Sequence, residues 1–158
     1  MPTRILIVDD HDVVRAGVRS ILAAREEWSI VGEATNGRMA IEMAQRLRPD
    51  VIVMDITMPV MSGLDAAKEI AKQGLNAKVL VLSMHELRYG PGDLASLGIH
   101  GFVLKSNAVR DLVRALEALL GDGQFLQSSV PETPKGEPPS NPGSISMCWR
   151  WDWAGAFA

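Results

Sequence analysis

Along the first 120 positions, short unbroken apolar blocks alternate with longer stretches in which apolar residues recur at helical spacing. The blocks RILIV (4 to 8), WSIVGEA (28 to 34), VIVM (51 to 54), KVLVL (78 to 82) and GFVL (101 to 104) are rich in β-branched residues and predict strands. All but the second are apolar at odd and even positions alike, as befits a sheet covered on both faces. Amphipathic segments at about 12 to 24, 37 to 47, 63 to 73 and 107 to 120 predict helices, with Asp12 and Asn107 as N-caps and Gly74 and Gly121 as stops. Strict alternation of strand and helix means a parallel sheet joined by right-handed crossovers, so the chain reads as a five-unit α/β domain.

The fourth unit breaks the pattern. In SMHELRYGPGDLASLG, the triplet Gly90-Pro91-Gly92 falls where a helix is due. Proline removes a backbone donor and each glycine costs roughly 1 kcal/mol in a helix. A loop to about residue 90 is expected, then a short helix with Pro91 in its first turn. Past Gly121 the composition changes again. QSSVPETPKGEPPSNPGS carries five prolines and almost no large apolar residue, so 122–144 reads as a disordered linker. The segment 145–158 holds Trp149, Trp151 and Trp153 in alternation. It allows three readings: a strand docking on an exposed groove or edge, a weak membrane-surface element, or a tail without fold, left by a change of reading frame.

Composition adds bounds. In 158 residues, 47% hydrophobic and 22% charged content describe an ordinary globular chain, one domain plus an appendage. A net charge of −3 points to neither nucleic acid nor an anionic membrane. Cys148, the single cysteine, excludes an intramolecular disulfide and fits a reducing compartment. The apolar run near the N-terminus stops after four residues, too short for a signal peptide or a membrane span, so a cytoplasmic location is expected.

The chemistry collects at strand ends. Strand one ends in Asp9-Asp10, strand three in Asp55, strand four in Ser83 and strand five in Lys105. If the order is 2-1-3-4-5, strands one and three flank the switch point where open α/β sheets bind ligands, and the three acids converge there. Clustered carboxylates repel one another and call for a hard divalent cation, most simply Mg²⁺. With a hydroxyl and an ammonium beside them, the set suits phosphoryl transfer, with Asp55 as the nucleophile. By contrast His11, His85 and His100 show no ligand spacing and are expected to be solvated or hydrogen-bonded.

IVDDH, VMDITMPVMSGLDA, VLSMH and GFVLKS resemble the signature segments of response-regulator receiver domains of two-component systems, nearest in flavour to the NarL/FixJ (LuxR-type) subfamily. The resemblance covers about residues 3 to 120. It implies a flavodoxin-like (βα)5 doubly wound fold over residues 1–121. Asp55 would accept a phosphoryl group from a sensor histidine kinase, with Mg²⁺ held by Asp10, Asp55 and the backbone carbonyl of Thr57. Asp9 would act through water, Ser83 would bond the phosphoryl oxygens, and Phe102 would be the aromatic that reorients on activation. The chain departs from the family at Gly90-Pro91-Gly92. After Gly121, 37 residues with only Lys135 and Arg150 as cations offer no recognisable helix-turn-helix, so DNA binding is not expected.

The leading expectation is a phosphorylation-dependent signalling switch rather than an enzyme, its chemistry confined to Mg²⁺-dependent self-phosphorylation and slow self-dephosphorylation on aspartate. The alternative is a LuxR-type transcription regulator, truncated or frameshifted. Homodimerisation is left open. A haloacid-dehalogenase-like phosphatase would need a second Asp two positions after the first, where this chain has Thr57; a flavodoxin would need a phosphate loop after strand one, which is missing.

Overall fold

The structure, a computed structural model, describes residues 1–126. The rest of the expected linker, the tail with Trp149, Trp151 and Trp153, Cys148, Lys135 and Arg150 all lie outside the described residues. The elements are β1 Thr3–Val8, α1 Asp12–Ala23, β2 Trp28–Ala34, α2 Gly37–Leu47, β3 Val51–Asp55, α3 Gly63–Lys72, β4 Lys78–Ser83, α4 Pro91–Ser96, β5 Gly101–Leu104, a 3₁₀ turn Lys105–Asn107, α5 Ala108–Leu120 and β6 Phe125–Leu126. All strand pairs are parallel, in the order β2-β1-β3-β4-β5-β6. The five expected strands therefore hold the expected 2-1-3-4-5 order. β6 is an addition, built from two residues that composition assigned to the linker.

Because successive side chains leave a strand on opposite faces, the apolar runs feed two cores. Leu6, Val8, Ile52, Met54, Val79 and Val81 pack with Ala40 and Ala44 of α2, Ala67 and Ile70 of α3 and Leu94 of α4. Ile5, Ile7, Val51, Val53, Leu80 and Leu82 pack on the other side with Val18 and Leu22 of α1 and Leu112, Leu116 and Leu119 of α5. Burying each such Leu or Ile stabilises the fold by roughly 1.5–3 kcal/mol, which is why these strands are apolar throughout. Among the described residues, no helix is long and apolar enough to cross a membrane.

One irregularity sits in β2. Its register against β1 shifts between Ile5 and Leu6, so that Ile5 pairs with Ile30 but Leu6 with Gly32. The extra residue, Val31, reverses the alternation of everything after it. Trp28 and Ile30 pack against the α1 and α5 side, whereas Ala34 packs against the α2 and α3 side. Glu33 is thereby turned toward α1, where it pairs with Arg15 and Arg19.

The helix ends depart from expectation in detail. Asp12 is the first helical residue of α1 and pairs with Arg15; the cap position belongs to the extended His11. Asn107 caps α5 by position but makes no side-chain cap bond. Gly74 follows α3 in the left-handed region, with φ +67°, as a stop glycine should. At the end of α5 it is Asp122, with φ +60°, that turns left-handed, while Gly121 stays at φ −83°. The short α4 opening at Pro91 agrees with the sequence reading.

A Cβ on Gly63 would lie 2.1 Å from the Asp55 carbonyl oxygen, so Gly63→Ala must separate α3 from the end of β3. It is expected to lose about 1–3 kcal/mol in urea denaturation; a neutral substitution would show that the contact yields freely. His100 accepts the Val79 amide through Nδ1 at 3.1 Å, and burial, then the Lys78 ammonium, lower its pKa. Lys78 is itself paired with Asp122 at 3.5 Å. The neutral ring's contribution is complete above the unfolded value of about 6.5 and is lost as pH falls through the lowered folded value. His100→Asn, which keeps an acceptor, is expected to flatten the fall in urea midpoint between pH 7.5 and 5.5 relative to the natural chain.

Candidate functional site

The carboxyl ends of β1 and β3 are adjacent, and the chain reverses its winding direction between them. Asp9 and Asp10 follow β1, Asp55 closes β3 and Lys105 follows β5. The fold brings these four together. Lys105 Nζ lies 2.9 Å from Asp9 Oδ2 and 3.2 Å from Asp55 Oδ2. The three side chains are only 9%, 3% and 6% exposed. Burial by itself would lower the Lys105 ammonium, but the hydrogen bonds and charges of Asp9 and Asp55 outweigh it and hold the pKa above its ordinary value.

Asp55 sits where its charge is least comfortable. Burial, then the negative charge of Asp9, push its carboxyl above the ordinary carboxylate value; Lys105 and the Thr57 amide pull the other way without cancelling the rise. One ammonium thus faces three acids, and a second cation would relieve the excess. Asp9, Asp10, His11 and Asp55 each bring a ligand atom within 4.8 Å of the others, a group able to hold a metal ion. With three carboxylates, that donor set fits a hard, oxygen-seeking divalent cation.

The loop after β3 is held in a strained shape. Val60 has φ +69°, rare for a β-branched residue, and the Met61 amide donates to the Pro59 carbonyl at 2.7 Å across it. Gly37 donates to the Met61 carbonyl at 3.1 Å, Gly63 donates to the Ile56 carbonyl at 2.8 Å, and Ser62 caps α3 by accepting the Asp65 amide. The loop carries Thr57 at its exposed surface, with the amide directed to Asp55.

Other expected residues lie differently. The Ser83 hydroxyl is turned into its own loop, donating to the His85 carbonyl at 2.7 Å and accepting the His85 amide at 3.1 Å. Phe102 points into the core on the α2, α3 and α4 side. His11, expected to be solvated or hydrogen-bonded, has its Nδ1 3.2 Å from Asp9 Oδ1 and 3.0 Å from Asp10 Oδ1; its place in the group able to hold a metal ion was not expected. Ligand-spacing rules look for side chains a helical turn apart, and a neighbour in sequence escapes them. The sequence reading missed Arg15, whose Nη1 donates to the Asp9 carbonyl at 2.8 Å.

The family model of the response regulator receiver domain matches residues 5–117. The chain belongs to that family. It is 35% identical over 127 residues to the transcriptional regulatory protein YdfI of Bacillus subtilis, covering 80% of this chain and 59% of that protein. It is 32% identical over 131 residues to the nitrate/nitrite response regulator NarL of Escherichia coli, covering 82% and 61%. The chain thus spans about six-tenths of the length of these curated relatives. Among solved structures, a LuxR-family two-component response regulator from Aurantimonas matches with a TM-score of 0.74 at 32% identity, covering 82% of this chain and 91% of that one. The isolated receiver domain of RcsB from Salmonella enterica, with the phosphomimetic BeF₃⁻, matches with a TM-score of 0.70 at 31% identity, covering 82% and 96%. This receiver is a signalling domain of the NarL/LuxR type.

Lys105→Met would leave two buried carboxylates facing one another. In the absence of divalent cations it is expected to cost about 3 kcal/mol at pH 7.5. A carboxyl whose folded pKa is raised favours the folded state more as it protonates, so the loss should shrink toward pH 5. Urea unfolding at both pH values tests this, and an equal loss at each would refute the charge assignment.

Proposed function

We propose that this receiver is a phosphoacceptor switch in which Asp55 takes a phosphoryl group from the phosphohistidine of a sensor histidine kinase. The observation that carries the reading is the Lys105 ammonium bridging Asp9 and Asp55 at the mouth of the β1 and β3 crevice. A carboxylate oxygen of Asp55 attacks phosphorus, the P–N bond of the kinase phosphohistidine breaks, and its electron pair returns to the imidazole. The burial that raises Asp55 also keeps its nucleophilic oxygen poorly solvated, while Lys105 favours its ionised form and is placed to meet the negative charge of the arriving group.

Asp10, Asp55 and the Thr57 backbone carbonyl would hold Mg²⁺, with Asp9 acting through water. When bound, Mg²⁺ would offset the charge of the carboxylates and the phosphoryl oxygens. Ser83 would leave its bond to the His85 carbonyl to reach a phosphoryl oxygen, and Phe102 would reorient in step with it. Turnover of external substrates is not proposed; self-phosphorylation from a small phosphodonor and slow self-dephosphorylation are.

The proposed setting is the cytoplasm, with the kinase as partner, no membrane insertion and no DNA contact by this chain. A solved neighbour, 31% identical with a TM-score of 0.70, is a structure of two RcsB dimers bound to two parallel DNAs, and a homodimer is the assembly proposed for signalling output here. Residues 122–144 and 145–158 are proposed as linker and tail, with Phe125 and Leu126 of the former serving as β6.

Intact mass after incubation with acetyl phosphate and Mg²⁺ tests the reading. The natural chain is expected to gain one phosphoryl group, and Asp55→Asn or chelation of Mg²⁺ to prevent it. A folded natural chain that gains nothing would falsify the proposal.

A further inference from the structure

Arg15 is a cation on α1 whose side chain is only 13% exposed. Its guanidinium meets three residues. Nη1 donates to the Asp9 carbonyl at 2.8 Å, Nη2 pairs with Asp12, and Nε faces Glu33 Oε2 at 3.5 Å. Glu33 is held in turn by Arg19, at 2.7 Å from Nε and 2.6 Å from Nη2. On its other side, the Asp9 amide donates to the Ala34 carbonyl at 3.0 Å.

The carbonyl that Arg15 grips belongs to the peptide unit joining Asp9 to Asp10. That unit is planar, so fixing its oxygen fixes the directions in which both residues leave it. Asp9 turns its carboxylate to Lys105 and to the His11 amide, the latter at 2.8 Å; Asp10 lies beside the His11 ring. An ordinary surface pair between Arg15 and Asp12 would need neither burial of the guanidinium nor the approach of Glu33. The planar fork of arginine can hold a carbonyl with one nitrogen and a carboxylate with another, which a lysine cannot do.

We propose that Arg15 is a positioning residue for the divalent-cation pocket. It clamps the Asp9–Asp10 peptide between α1 and the bulged end of β2, and so sets the spacing of the acids without donating to their carboxylates. Glu33 steadies the clamp. The inference rests on the phosphoacceptor reading in taking Mg²⁺ as the ion the acids hold.

The test is calorimetric titration of the full chain with Mg²⁺, paired with urea unfolding in its absence. Arg15→Met, which keeps the stem and removes the donors, is expected to weaken Mg²⁺ binding roughly ten-fold, the scale of losing an outer-shell support. Arg15→Lys should recover part of that loss, and Glu33→Gln should weaken binding by a smaller factor while leaving Arg15 in place. Lower stability with unchanged Mg²⁺ affinity would overturn the inference and make Arg15 a purely structural residue. Should Arg15→Met not fold, Arg15→Lys and Glu33→Gln decide the matter by the same readout: unchanged affinity in both overturns it. A natural chain that binds no Mg²⁺ would overturn the underlying reading, whatever the variants do.

Discussion

Everything near the crevice is arranged around one ammonium between two buried carboxylates. Lys105 touches Asp9 and Asp55 at 2.9 and 3.2 Å in a nearly closed setting. Removing charges from water is costly, and the attraction between them offsets that cost only when geometry is good. Here the geometry comes from three separate strands, so the ion triad can form only after β1, β3 and β5 are in register. The register of the sheet and the electrostatics of the site are one constraint.

That constraint leaves a surplus of negative charge by design. Asp55 is held above its ordinary pKa by burial and by Asp9, with Lys105 offsetting only part of the rise. A site balanced in this way is poised for an added cation and for a group whose own oxygens need neutralising. The surrounding framework is correspondingly rigid: the strained turn at Val60, the close approach of Gly63 to Asp55 and the capped start of α3 leave the loop after β3 little room to relax.

Much of this was legible in the sequence, for a physical reason. Strands buried on both faces must be apolar throughout, so an acid or lysine ending such a run marks a strand end, and Asp9, Asp10, Asp55, Ser83 and Lys105 announced themselves that way. Gly90-Pro91-Gly92 disclosed the short α4 because backbone chemistry there leaves no alternative. The illegible parts depend on tertiary pairing. Whether Asp12 or His11 caps α1 is a one-residue difference in dihedral angles. β6 is two residues long, and its pairing with β5 has no periodicity to betray it. The direction of the Ser83 hydroxyl, the inward Phe102 and the grip of Arg15 on a main-chain oxygen leave no mark in a pattern of residue types.

The bulge at Val31 shows how narrow the tolerance of the outer strand is. In most strands of this sheet the apolar residues on the two faces are interchangeable, since helices cover both. β2 is different, because its end must show alanine to one layer and glutamate to the other. Straight pairing of β2 with β1, with Val31 opposite Leu6, would change neither composition nor length, yet would send Glu33 into the α2 layer and Ala34 toward the arginines of α1. Such a pairing would retain the fold class and lose the outermost polar joint, so for a strand of this length the bulge, more than composition, keeps Glu33 beside the arginines of α1.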